Sequence, residues 1–156
     1  MQPTAMLEAG DPAPDFYLSA ANAPGAEYML SAAADAGPVV LAFVPDDESA
    51  ARPLLEALAG VDWAQVVDRL SVFGIGTDPD ALARLAEGLP FPVLHDRGGY
   101  VTDLYGVGRT TGGLRRALVV ADPRCVIRFA WEVSDANDQV PLDELQSAVV
   151  EATEGS

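Results

Sequence analysis

Residues 38–45 read Pro-Val-Val-Leu-Ala-Phe-Val-Pro. Six consecutive apolar side chains between two prolines leave no polar face, so Val39 to Val44 is predicted to be a strand covered on both sides. Such a strand belongs in the middle of an α/β sheet. Downstream, Pro53 is suited to open a helix with Leu54, Leu55 and Leu58 inward, and Trp63, Val66, Val67 and Leu70 continue the i, i+3, i+4, i+7 spacing beyond a break at Gly60. Val72 to Gly76 (VFGIG) reads as a second buried strand. Asp78-Pro79 is an N-cap and first-turn pair for a helix over Ala81 to Gly88, with Leu82, Leu85 and Ala86 inward.

Further along come a short strand in FPVLHD at 91–96, a short helix from Tyr100 to Tyr105 and a Gly-rich loop, GVGRTTGG, at 106–113. Ala117 to Ala121 and Val126 to Trp131 flank the turn DPRC and predict a hairpin in which Ile127, Phe129 and Trp131 share one face. Pro141 starts a last helix with Leu142, Leu145 and Val149 inward and Asp143 and Glu144 near its N-terminus, where the helix dipole favours acids. Upstream, DFYL at 15–18 and EYML at 27–30 are separated by NAPG, as in an N-terminal hairpin. The order β-α-β-α, hairpin, helix predicts an α/β fold of the thioredoxin-like type: a central mixed sheet flanked by helices, with an N-terminal β-hairpin extension. One domain over 1–156, ordered from about 7 to 152, accounts for the whole pattern.

Composition narrows the function classes. The chain has 156 residues, 49% of them apolar, which suffices for one continuous core. Nine arginines stand against 24 acids for a net charge of −15, and there is no lysine. That surface repels phosphate backbones and anionic lipid, so neither nucleic acid nor membrane is expected as a partner. Abundant Asp with no Lys resembles the composition of proteins from salt-loving organisms. Neither a signal-peptide pattern nor an 18-residue apolar run is found, so a cytoplasmic location is expected. A single cysteine, Cys125, excludes an intrachain disulfide and any multi-cysteine metal site.

Four stretches, in order, resemble one family: GDPAPDFYL at 10–18, PVVLAFVP at 38–45, LPFPVLHDRGGYVTDLYGV at 89–107 and RALVVADPRCVIRFAW at 116–131. They are similar to the alkyl hydroperoxide reductase and thiol-specific antioxidant (AhpC/TSA) branch of the peroxiredoxins, especially the bacterioferritin comigratory type. The resemblance covers nearly the whole chain. It implies a peroxide pocket formed by a Pro-x-x-x-Thr/Ser-x-x-Cys loop and an arginine ahead of a later strand. Here the loop reads Pro45-Asp-Asp-Glu-Ser49-Ala-Ala-Arg52, and Arg116 matches the pocket arginine. Pro45, Ser49 and Arg116 are kept; the peroxidatic cysteine is replaced by Arg52. No cysteine lies between Val44 and Leu70, so no shift of register supplies one.

Peroxide cleavage needs a nucleophilic thiolate, and a guanidinium stays protonated at any physiological pH. The resemblance therefore implies a family member without thiol peroxidase activity, acting as a binding, regulatory or self-associating module with itself or with a peroxiredoxin paralogue. Two alternatives stand beside it. Cys125, beside Arg124 and near Arg128, is a candidate redox thiol for an antioxidant oxidoreductase, since cations lower a thiol's pKa. Ser49, Arg52 and Arg116 are a candidate small-anion site, unless Arg52 lies outward or pairs with Asp47 or Glu48. His95-Asp96 with Asp103 lacks metal-ligand spacing and reads as a strand end and turn cap. Neither Gly-rich stretch has nucleotide-binding spacing, so no cofactor and no metal are expected.

Overall fold

The computed structural model describes residues 7–21, 25–44, 48–107, 109–110, 113–114, 116–133 and 140–154. Its elements in chain order are β1 (Tyr17–Ala20), β2 (Glu27–Met29), α1 (Leu30–Ala36), β3 (Val39–Phe43), α2 (Glu48–Ala59), α3 (Trp63–Val66), β4 (Ser71–Gly76), α4 (Pro79–Leu85), β5 (Val93–His95), α5 (Tyr100–Leu104), β6 (Arg109–Thr110), β7 (Gly113–Leu114), β8 (Arg116–Ala121), β9 (Ile127–Val133) and α6 (Leu142–Glu154). Among the described residues seven strands form one mixed sheet in the order β2-β1-β5-β4-β3-β8-β9. β4 lies parallel to β3 and β5, whereas β8 runs antiparallel to β3 and β9.

β3 lies between β4 and β8, with helices over both faces. All five of its residues are buried. Val40 and Ala42, with Val44 just beyond, face a core built from Leu54, Leu55 and Leu58 of α2, Leu82 and Leu85 of α4, and Leu145 and Val149 of α6. Val39, Leu41 and Phe43 face the other core, made by Leu30 and Ala34 of α1, Val101 and Tyr105 around α5, and Phe16. The strand period of two divides one apolar run between two cores. Each fully buried Leu contributes roughly 1.5–3 kcal/mol by the area rule.

Several local expectations change. α1 was not foreseen: Leu30 ends the expected EYML strand and starts a helix instead. Asp15 ties that helix start down, accepting hydrogen bonds from the Ser31 N–H at 2.9 Å and the Ser31 hydroxyl at 2.8 Å. α2 begins at Glu48, so Pro53 lies inside it rather than opening it. The Pro53 ring is exposed, and as a proline it has no N–H to donate back to the Ser49 carbonyl one turn earlier. Beyond Gly60 only Trp63–Val66 is helical; Val67 is already extended at φ −146°, which turns the chain towards β4.

In β9 the expected common face is broken. Ala121 pairs with Ile127 but Val120 pairs with Phe129, leaving a bulge at Arg128. The extra residue switches sides, so Ile127 packs in the α1/α5 core while Phe129 and Trp131 pack against the α2/α6 core. Within the Gly-rich stretch expected as a loop, Arg109 pairs with Leu114 and Thr110 with Gly113.

Candidate functional site

β3 delivers the chain to the N-terminus of α2, and β8 starts at the same end of the sheet. The Phe43↔Ala117 pair is the last register position of β3 and β8, and Arg116 lies one residue beyond it. Arg116 and the first turn of α2 are the described parts of the sequence-matched site. Pro45 lies outside the described residues. Ser49 is exposed on the first turn of α2. Arg116 is only 3% exposed, and its guanidinium carbon stands 5.9 Å from the centroid of the Trp131 ring. That distance is within the range of a cation–π contact.

The Trp131 partner was not visible in the sequence. Arg116 pairs with Val133, so Trp131 is its diagonal neighbour, two residues back on β9. Counting back from the DPRC turn misses this, because the bulge at Arg128 shifts the register by one.

Arg52 has a carboxylate partner on its own helix. Its side chain is 43% exposed and its Nη2 lies 3.4 Å from the Glu48 Oε2 one turn earlier. The other Glu48 oxygen, Oε1, is bound by Arg84 Nε of α4. One carboxylate therefore bridges two guanidinium groups across the α2/α4 seam. Arg52 also lines the cleft between these helices, with Leu55, Leu85 and Glu87. Of the two partners weighed from sequence, the described one is Glu48; Asp47 lies outside the described residues.

Cys125 sits at the other end of β8, in the turn before β9. Arg116 and Ala121 bound a six-residue strand, about 17 Å long at 3.3–3.4 Å per residue. The thiol is half-buried, and its residue has a left-handed backbone at φ 61°. Burial, followed by the carboxylates of Asp15 and Asp122, pushes the thiol above its ordinary value. The lowering expected from Arg124 and Arg128 is not what its surroundings produce. Arg128 Nε instead donates to Asp122 Oδ2 at 2.8 Å, while the N–H groups of Arg124 and Val126 donate to Oδ1 at 2.9 and 3.0 Å. Burial opposes ionisation of Asp122, yet these bonds outweigh it and hold the carboxyl below the usual aspartate value.

Asp96 is buried and accepts the Val101 N–H at 3.0 Å, the Thr102 N–H at 2.7 Å and the Thr102 hydroxyl at 2.7 Å. It caps α5, as the strand-end reading expects. His95 Nε2 lies 3.2 Å from the Thr77 carbonyl oxygen. Among the described residues no group of three His, Cys, Asp or Glu side chains is placed to hold a metal. The glycines of VFGIG have a packing role: a Cβ on Gly76 would stand 2.6 Å from Leu82 Cδ2, where α4 crosses the strand.

Arg116 is thus buried at the start of β8, at the end of the sheet where β3 finishes. The family model described as AhpC/TSA matches residues 9–130. The chain belongs to the AhpC/TSA family. Solved structures agree. Peroxidoxin BcpB from Mycobacterium tuberculosis is 26% identical, with a TM-score of 0.70 over 92% of this chain and 96% of that one. Mycobacterium tuberculosis AhpC is 20% identical, with a TM-score of 0.67 over 92% of each chain. A putative protein disulfide isomerase from Bacteroides thetaiotaomicron, 18% identical, superposes at 0.76 over 99% of this chain and 95% of that one. The latter two likenesses show the thioredoxin-like fold alone. No curated protein matches the chain. Among the described residues no helix is long and apolar enough to cross a membrane.

Proposed function

We propose that this AhpC/TSA member does not reduce peroxides and instead uses the family fold as a binding, regulatory or self-associating module. The observation that carries the reading is Arg52, which stands where the family motif has its peroxidatic cysteine and is engaged by Glu48. Thiol peroxidases work by attack of a thiolate lone pair on one peroxide oxygen: the O–O bond breaks, the sulfur becomes a sulfenic acid, and the other oxygen leaves as alcohol or water. A guanidinium is already protonated and offers no lone pair for that step. The chain's one thiol lies at the far end of β8, among carboxylates that disfavour its thiolate.

The test is a hydroperoxide-consumption assay with thioredoxin or a small thiol as reductant, run on the wild type and on Cys125→Ser. Both are expected to match the protein-free rate. Turnover that disappears in Cys125→Ser would establish the antioxidant oxidoreductase alternative in its place.

A further inference from the structure

At the end of the sheet opposite to Arg116, the first residues of β4 open onto a cleft of about 690 Å³. Its size lies within the range of small-molecule sites. Four aromatic side chains line it: Tyr28 from β2, Trp63 from α3, Phe73 from β4 and Phe91 ahead of β5. Phe73 and Phe91 are buried, and Tyr28 tilts against Phe73 with ring centroids 5.2 Å apart. The Trp63 indole N–H is already donated to the Leu58 carbonyl at 3.1 Å, so this residue offers the cleft its π surface rather than a donor.

The charged groups lining the cleft have one sign. Among the described residues they are Glu27 and Asp62, both exposed, with no arginine in the lining. An aromatic ring attracts a cation to its face through its quadrupole, and two carboxylates beside the rings act in the same direction. The net charge of −15 adds a long-range field that draws cations and repels anions. It also opposes burying a second copy of this acidic chain there. We propose that this cleft binds a small organic cation with an apolar body, such as an aryl or alkyl ammonium, its apolar part against the rings and its charge beside Glu27 and Asp62. The proposal does not rest on the reading of Arg52, which lies at the other end of the sheet.

The experiment is calorimetric titration at low salt with benzyltrimethylammonium, with benzyl alcohol and benzenesulfonate as neutral and anionic controls. The cation is expected to bind saturably, one per chain, and to bind about tenfold or more weakly to Glu27→Gln/Asp62→Asn and to Trp63→Leu. Raising the salt should weaken it, and both controls should bind far less. Glu27 and Asp62 are exposed, so the acid-to-amide variant keeps the fold, which circular dichroism checks. Three results overturn the proposal: no saturable binding into the millimolar range, equal binding of benzyl alcohol, or binding untouched by the acid-to-amide variant. Sedimentation equilibrium adds a fourth, a dimer that Met29→Asp dissociates, because a second copy would then fill the cleft.

Discussion

Arg52 and Glu48 stand one turn apart on the same face of α2, with Nη2 and Oε2 at 3.4 Å, and Arg84 binds the other oxygen of that carboxylate. Both arginines are substantially exposed, so the network is screened by solvent and contributes little to stability. Glu48→Gln is expected to cost less than about 1 kcal/mol in urea unfolding. Its effect on ligands is the sharper readout. The anion reading needs Arg52 free of Glu48, so sulfate titration of the wild type and Arg52→Gln is expected to give the same curve. Arginine-dependent binding, strengthened in Glu48→Gln, would establish an anion site at this junction.

Alkylation of Cys125 by iodoacetamide is expected to accelerate only in alkaline buffer, with a midpoint above that of an ordinary cysteine thiol. The physical cause is burial, reinforced by Asp15 and Asp122. A midpoint near neutrality would mean that the arginines dominate and would support a redox role.

Asp122 predicts a pH dependence whose sign follows from its lowered pKa. A carboxyl depressed in the folded state stabilises the fold fully above its unfolded value near 3.9 and loses that contribution as pH falls through the lower folded value. Asp122→Asn is therefore expected to unfold at lower urea than wild type at pH 7, by about 1–3 kcal/mol for a buried, charge-assisted acceptor. The gap should close as the pH drops below about 3.9. A gap that stays constant down to pH 2 would mean that the charge is not what the site uses.

Gly37 joins α1 to β3 at φ +156°, and a Cβ there would stand 2.8 Å from the Arg69 carbonyl oxygen. Because that neighbour is backbone ahead of β4, it cannot rotate away. Gly37→Ala is expected to lower stability by about 1–3 kcal/mol with an unchanged denaturant slope. Gly60→Ala, whose nearest contact would be 3.4 Å, is expected to change it by under about 0.5 kcal/mol. Equal effects at the two sites would remove the steric explanation.

Most of the sheet is legible in the sequence, because strand and helix periods are local. PVVLAFVP has no polar face, and only a strand covered on both sides accommodates it, as β3 shows. Asp78-Pro79 announced α4 because an N-cap acts within one turn, and the Asp78 side chain does accept the Asp80 N–H at 3.1 Å. α1 escaped because LSAAADA carries little periodic signal. It is held by Asp15, whose bonds to Ser31 span sixteen residues.

For the candidate site, the residues alone show which side chain is absent: the one cysteine is at position 125, and none lies between Val44 and Leu70 to supply a thiol at the start of α2. They also show Arg116 just ahead of the apolar strand run Ala117 to Ala121, six residues before Asp122. The directions of those cations depend on distant partners. Arg52 is turned by a carboxylate shared with Arg84, thirty-six residues away from Glu48 in the chain. Arg116 lies over Trp131 because a bulge at Arg128 resets the register. The aromatic cleft likewise gathers side chains from β2, α3, β4 and the segment ahead of β5. Side-chain direction is set by whichever distant group can meet the charge or fill the volume, and local sequence does not carry that information.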